Sequence, residues 1–219
     1  MKLPAALQTD DDNAALALLQ RYYGATLDGH SGFTGSAFDT WDPSGTRAAS
    51  ADVFTSDDVT AASLLSVQVR GRAAHELLVR RAAEFSDLLV EVGPDRDLVD
   101  VDEEILSPWP GSRLLAALKE LPGVGTTTAS KLMARKRPRL RPVWDTVVAD
   151  HLGVRSSYIE PLRVALRADD LALHRRLVRL GERAAPDGVS ALRVFDVVTW
   201  LEAKDAGRTT TGPDEVDAA

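Results

Sequence analysis

The sequence predicts an all-α protein, and three of its features carry that prediction. Apolar residues recur at three- and four-residue spacings in one segment after another, as in Ala74, Leu77, Leu78, Ala82, Phe85 and Leu89, the pattern of a helix with one buried face. The strict alternation of a half-buried strand persists nowhere along the chain. Clusters of Gly, Pro, Ser, Thr and Asp fall between the periodic stretches, where they cap and stop helices. With 219 residues, 44% of them apolar, the chain can bury a sizeable core, and a single helical domain over 11–204 is the simplest organisation.

In chain order, residues 1–10 read as a loose arm. Asp11 or Asp12 can cap a helix through about Tyr23, with Ala15, Leu16, Leu18, Leu19 and Tyr22 on its apolar face and Gly24 to close it. Residues 24–54 are rich in Gly, Ser, Thr and Asp and read as loop, with short extended pieces around Phe38 and Val53. Phe33, Phe38 and Trp41 are expected to pin that loop to the body; stacking on a base is a second use open to Trp41. Thr55, Ser56 and Asp57 can cap a helix from Asp58 to about Val69, and after Gly71 a second helix runs to about Val92. The acidic, Pro-containing interval from Gly93 to Pro110 reads as a connection with one helical turn at most, anchored by Trp109. Helices follow over about 146–152, 158–167, 169–180 and 189–203. The last is central to the core through Leu192, Val194, Phe195, Val197, Val198 and Leu201. From Asp205 onward the composition is that of a disordered tail.

The stretch Leu121 to Asp145, LPGVGTTTASKLMARKRPRLRPVWD, stands apart. Leu114, Leu115 and Leu118 mark a helix that Pro122 and Gly123 must end, and Ala129, Leu132 and Met133 mark the next. Gly123 and Gly125 allow close backbone approach between them, while Thr126, Thr127 and Thr128 offer a cap. This is a helix-hairpin-helix pattern. The amides of Val124 to Thr127 would then point outward at a helix N-terminus, a place that suits a phosphate.

Charge qualifies that reading. The net charge is −7, which counts against indiscriminate nucleic-acid binding. From Leu121 to Trp144, however, there is no acid, while Lys131, Arg135, Lys136, Arg137, Arg139 and Arg141 supply six cations. A local basic face on an acidic protein is one expectation; a solvated cluster that complements a helix C-terminus is the other.

Several chemistries are disfavoured. The chain has no cysteine, so it cannot form disulfides, thiolate zinc sites or a cysteine-ligated iron–sulfur cluster. His30, His75, His151 and His174 lack metal-ligand spacing, and Gly123-Val124-Gly125 follows a helix and lacks a P-loop lysine. No apolar run approaches a membrane span and no signal peptide is evident, so a cytoplasmic location, with no membrane partner and no cofactor, is expected.

The same residues resemble a known family, the helix-hairpin-helix DNA glycosylases of base excision repair. LPGVG at 121–125, Thr128-Ala129 and Val143-Trp144-Asp145-Thr146 fall in that family's order, with Trp144 where it has valine. Leu64-Leu65-Ser66-Val67-Gln68 resembles its LLSxQ segment, which presents a glutamine near the lesion. The interval between the two motifs is shorter than in typical members. The whole chain also resembles an uncharacterised group of actinobacterial proteins.

The resemblance implies a glycosylase-like helical fold that binds duplex DNA through Gly123, Val124, Gly125, Thr126, Thr127, Thr128, Lys131 and Arg135, with Gln68 reaching the duplex. It implies further that Asp145, at the cap of the next helix, stabilises an oxocarbenium-like sugar or orients water while a damaged or modified base is released. Asp-Thr before an apolar helix is also a common cap with no catalytic duty. Thr127 stands where bifunctional members have a Schiff-base lysine, so any glycosylase here would be monofunctional. Carbonyls of Lys119, Leu121 and Val124 would, by the same resemblance, hold a monovalent cation. Two alternatives remain open: a catalytically inactive DNA-binding or protein-interaction module of the same fold, and a helical scaffold whose basic face binds an acidic protein.

Overall fold

A computed structural model describes residues 1–27, 32–102, 109–143, 145–154 and 159–207, with residues 25–27 described by their backbone alone. Its helices are α1 (Asn13–Leu27), α2 (Ser56–Ser63), α3 (Gly71–His75), α4 (Ala82–Val92), α5 (Pro110–Lys119), α6 (Thr126–Lys136), α7 (Thr146–Leu152), α8 (Ile159–Ala184) and α9 (Ala191–Asp205). Among the described residues there is no strand, as the absence of alternation predicts. No described helix is long and apolar enough to cross a membrane. The chain divides into two compact units, residues 37–143 and residues 1–36 with 144–219, where composition suggested a single domain.

In the 37–143 unit α5 packs on α4 and α6, and α6 packs on α2. The single helix expected over about 72–92 is in fact three pieces: α3, a π turn at Glu76–Arg80 closed by Arg81 N–H to the Glu76 carbonyl at 2.8 Å, and α4. The wide turn absorbs one residue. It thereby puts the eight-residue step from Leu77 to Phe85 back in phase, so that Ala73, Leu77, Phe85 and Leu89 are all buried. The helix expected to reach Val69 stops at Ser63. Ser66 takes a left-handed turn at φ 59°, and the chain doubles back to bury Val67.

Pro110 opens α5 at a position where no amide is needed, and Trp109 is the anchor its flanking prolines suggested, 6% exposed. A Cβ on Gly111 would lie 1.9 Å from the Trp109 ring, so that glycine is demanded by packing. The expected 93–110 connection contains one described turn, Leu98–Asp100; residues 103–108 lie outside the described set.

In the other unit α9 packs on α1, α7 and α8, and Val194, Phe195, Val197 and Val198 are buried as the apolar run predicts. Ser190 caps α9 by accepting the Arg193 amide at 3.1 Å. Gly24 does not end α1, which runs on to Leu27; a glycine inside a helix costs only about 1 kcal/mol.

The N-terminal segment is not loose. Ala6 and Leu7 are buried, and the Glu202 carboxylate accepts the Ala5 and Ala6 amides at 2.7 and 2.5 Å. Arg176 adds an ion pair to Asp12 at 2.8 Å. The two helices expected over 158–180 meet in α8 across a break at Ala168–Leu171, where Asp169, Asp170 and Leu171 are all left-handed. Asp205, where a disordered tail is expected to start, is the last residue of α9; Tyr158, His30 and residues 208–219 lie outside the described set.

Candidate nucleic-acid interface

The turn between α5 and α6 is short because its own backbone closes it. Leu121 N–H donates to the Leu118 carbonyl at 3.2 Å and Val124 N–H to the Leu121 carbonyl at 3.0 Å, while Gly123 supplies φ 75°. The Leu121 carbonyl, expected to share a monovalent cation with those of Lys119 and Val124, thus has a structural duty in the turn. The Val124 amide, expected to face a ligand, is bound within the turn. Leu121 and Val124 are buried, whereas Gly123, Gly125 and Thr126 are exposed.

Gly125 is the N-cap of α6 and carries no side-chain acceptor for the helix amides. The first helix-type bond is Ala129 N–H to the Gly125 carbonyl at 3.0 Å, so the amides of Thr126, Thr127 and Thr128 precede the intrahelical ladder. Gly125 has φ −86°, a value any residue tolerates, and a Cβ placed there meets nothing within 4 Å. Neither backbone strain nor packing within the chain calls for a glycine at that position. The same space is open at Gly123, although its positive φ does call for one.

The basic stretch downstream is not a surface face. Lys131 is 5% exposed and Arg135 2%, which corrects the expectation that both touch phosphate. The Lys131 ammonium donates to the Leu65 carbonyl at 2.7 Å. Arg135 donates to the Phe38 carbonyl at 2.8 Å and to the Trp41 carbonyl, and pairs with Asp58 at 3.2 Å. Lys136 pairs with Asp58 at 2.5 Å and donates to the Ser50 carbonyl at 2.9 Å. Arg137 reaches the carbonyls of Gly93, Ala51 and Leu89 at 2.6, 2.8 and 2.8 Å and the Asp52 carboxylate at 2.5 Å.

Arg139 pairs with Asp97, and Arg141 lies over the Trp109 ring. Arg135, Lys136 and Arg137 therefore hold the 38–54 segment, which has no regular structure of its own beyond turns, against the helices. Burial pushes the Lys136 ammonium below the ordinary lysine value; Asp58 opposes that shift, and Arg135 and Arg137 add to it.

Gln68 is exposed, and it lies in the 64–70 loop rather than at a helix end. That loop is the one whose Leu65 carbonyl the Lys131 ammonium fastens to α6. Asp145 belongs to the other unit. It is the N-cap of α7, its Oδ1 accepting the Val147 amide at 2.8 Å, and it is 8% exposed. Trp144, where the resemblance departs, lies outside the described residues. No group of three or more His, Asp or Glu side chains that could hold a metal ion occurs among the described residues.

Sequence reasoning missed Asp58, the buried partner of two cations; its short spacing from Thr55 signals a capping box, and nothing local signals the rest. It also passed over Arg70, Arg72 and Lys119, all exposed. The signal for Arg70 and Arg72 is the absence of any acid from Val59 to His75; Lys119, beside Glu120, has none.

A protein-family model described as a family of unknown function, DUF6308, matches residues 15–203, a span that runs from α1 into α9. Neither curated proteins nor solved structures give a match.

Proposed function

We propose, for a chain that belongs to the DUF6308 family of unknown function, that α5, the turn and α6 form a helix-hairpin-helix element that binds the phosphate backbone of duplex DNA. One observation carries the reading. Gly125 and Thr126 at the start of α6 are exposed, although Thr128 is buried; the helix has no side-chain cap, and two glycines border it beside which a Cβ would meet open space. Uncapped amides at a helix N-terminus are donors with partial positive charge, and a phosphate satisfies both. Because Lys131 and Arg135 are internal, the hairpin contributes amides rather than ammonium or guanidinium groups.

Gly125→Asp separates binding from folding. An aspartate at an N-cap accepts the helix amides and stabilises the helix, yet it places a carboxylate where the phosphate would sit. The variant is expected to melt no lower than the wild type and to bind a labelled duplex at least about tenfold more weakly. Equal affinity in both proteins removes the hairpin from the interface.

A second reading, monofunctional base excision, rests on the resemblance of Val143-Trp144-Asp145-Thr146 to the glycosylase segment that carries the catalytic aspartate. Asp145→Asn keeps the cap and nearly the volume. It is expected to abolish base release from a panel of lesion-containing duplexes while duplex binding persists. If the wild type releases no base from any of them, the protein is a DNA-binding module without this activity.

A further inference from the structure

We infer that Arg70, Arg72 and Lys119 form the electrostatic part of the DNA interface, a track of three cations beside the hairpin; this rests on the backbone-binding reading above. In the 37–143 unit the other cations are engaged within the chain. Arg81 is divided between Glu84 and Glu120, Arg80 meets Glu76, Arg113 meets Glu91 and Arg139 meets Asp97. Lys131, Arg135, Lys136 and Arg137 are buried on carbonyls and carboxylates. The side chains of Arg70, Arg72 and Lys119, all exposed, have no hydrogen bond or ion pair with any described residue.

Their placement is not scattered. Lys119 ends α5 two residues before Leu121. Arg70 closes the loop that begins at Leu64, and Arg72 starts α3 immediately after it. That loop is fixed at Leu65 by the buried Lys131 ammonium, and helical side chains lean toward the N-terminal end of their own helix. The start of that loop is thus tied to the second turn of α6.

No acid occurs from Val59 to His75 or from Leu121 to Trp144. Glu120, the carboxylate next to Lys119, is held by Arg81 at 3.0 Å. Uncompensated cations on a protein of net charge −7 create a local positive field. A polyanion gains from that field by releasing counterions.

The test is fluorescence anisotropy of the full chain with a labelled duplex of about 20 base pairs, titrated from about 50 to about 200 mM salt. Arg70→Ala with Arg72→Ala is expected to reduce the slope of log affinity against log salt by about 1.8, and Lys119→Ala by about 0.9. Arg179→Ala, which removes an exposed cation of the other unit, is expected to leave the slope unchanged. If the arginine pair leaves the slope unchanged while Gly125→Asp still weakens binding, the cation track is wrong and the hairpin reading stands. A wild type that binds no duplex overturns both.

Discussion

Asp58→Asn is expected to be among the most destabilising single changes in this chain, costing about 3–5 kcal/mol. Asp58 is 2% exposed and is the carboxylate shared by Arg135 and Lys136, whose side chains are equally enclosed. It also accepts the Thr55 amide at 2.8 Å and the Thr55 hydroxyl at 3.0 Å at the start of α2. An asparagine keeps the volume and one oxygen but leaves two buried cations without a full counter-charge. Breaking a buried pair from one side strands the partner, which is where most of the cost arises.

For a domain of this size a loss of that order lowers the melting temperature by roughly 10 °C. Thermal unfolding followed by circular dichroism reads it, and a drop of under about 2 °C would show that the pair contributes little. Adding Arg135→Met should restore part of the loss, because the stranded charge goes with it.

Arg137→Met should cost a similar amount, about 3–5 kcal/mol, by a different route. The Arg137 guanidinium satisfies the carbonyls of Leu89 and Gly93 at the end of α4 and of Ala51 in the preceding segment, and it pairs with Asp52. Methionine fills most of the space and donates nothing, so several enclosed acceptors lose their partner at once. Hydrogen exchange should show the loss of protection concentrated in residues 50–54 and the last turn of α4. The salt dependence of duplex binding should not move, since this arginine faces protein on every side. A changed salt slope would return Arg137 to the surface, and with it the basic face expected from the sequence.

Local chemistry accounts for what could be read in advance. The buried faces of α5, α6 and α9, the cap at Asp145 and the turn at Gly123 all depend on residues within one or two helical turns of each other. Periodicity and capping chemistry report those directly. The same locality explains the failures. The π turn at Glu76–Arg80 leaves a run of apolar residues that still looks like one helix, because the extra residue is accommodated in backbone geometry. The N-terminal segment is fastened by Glu202, nearly two hundred residues away, and composition alone made it look free.

The candidate site divides along the same line. The sequence by itself determined the helical class, the α5–α6 turn and the Asp145 cap, since each follows from φ preference, capping or spacing; the cap expected for α6 at Thr126 to Thr128 falls instead on Gly125, which has no side chain to offer. Only the tertiary structure decided which cations meet water. Six cations without an acid among them read as a basic face, but four of those that follow the hairpin are turned inward on the Leu65 carbonyl and on the 38–54 segment with Asp58. Three whose charge the sequence did not single out, Arg70, Arg72 and Lys119, are left outside. A cation lowers its free energy on any oxygen that replaces its lost hydration, and whether a carbonyl 66 to 97 residues away supplies that oxygen depends on the chain's three-dimensional path, which neither charge nor spacing records.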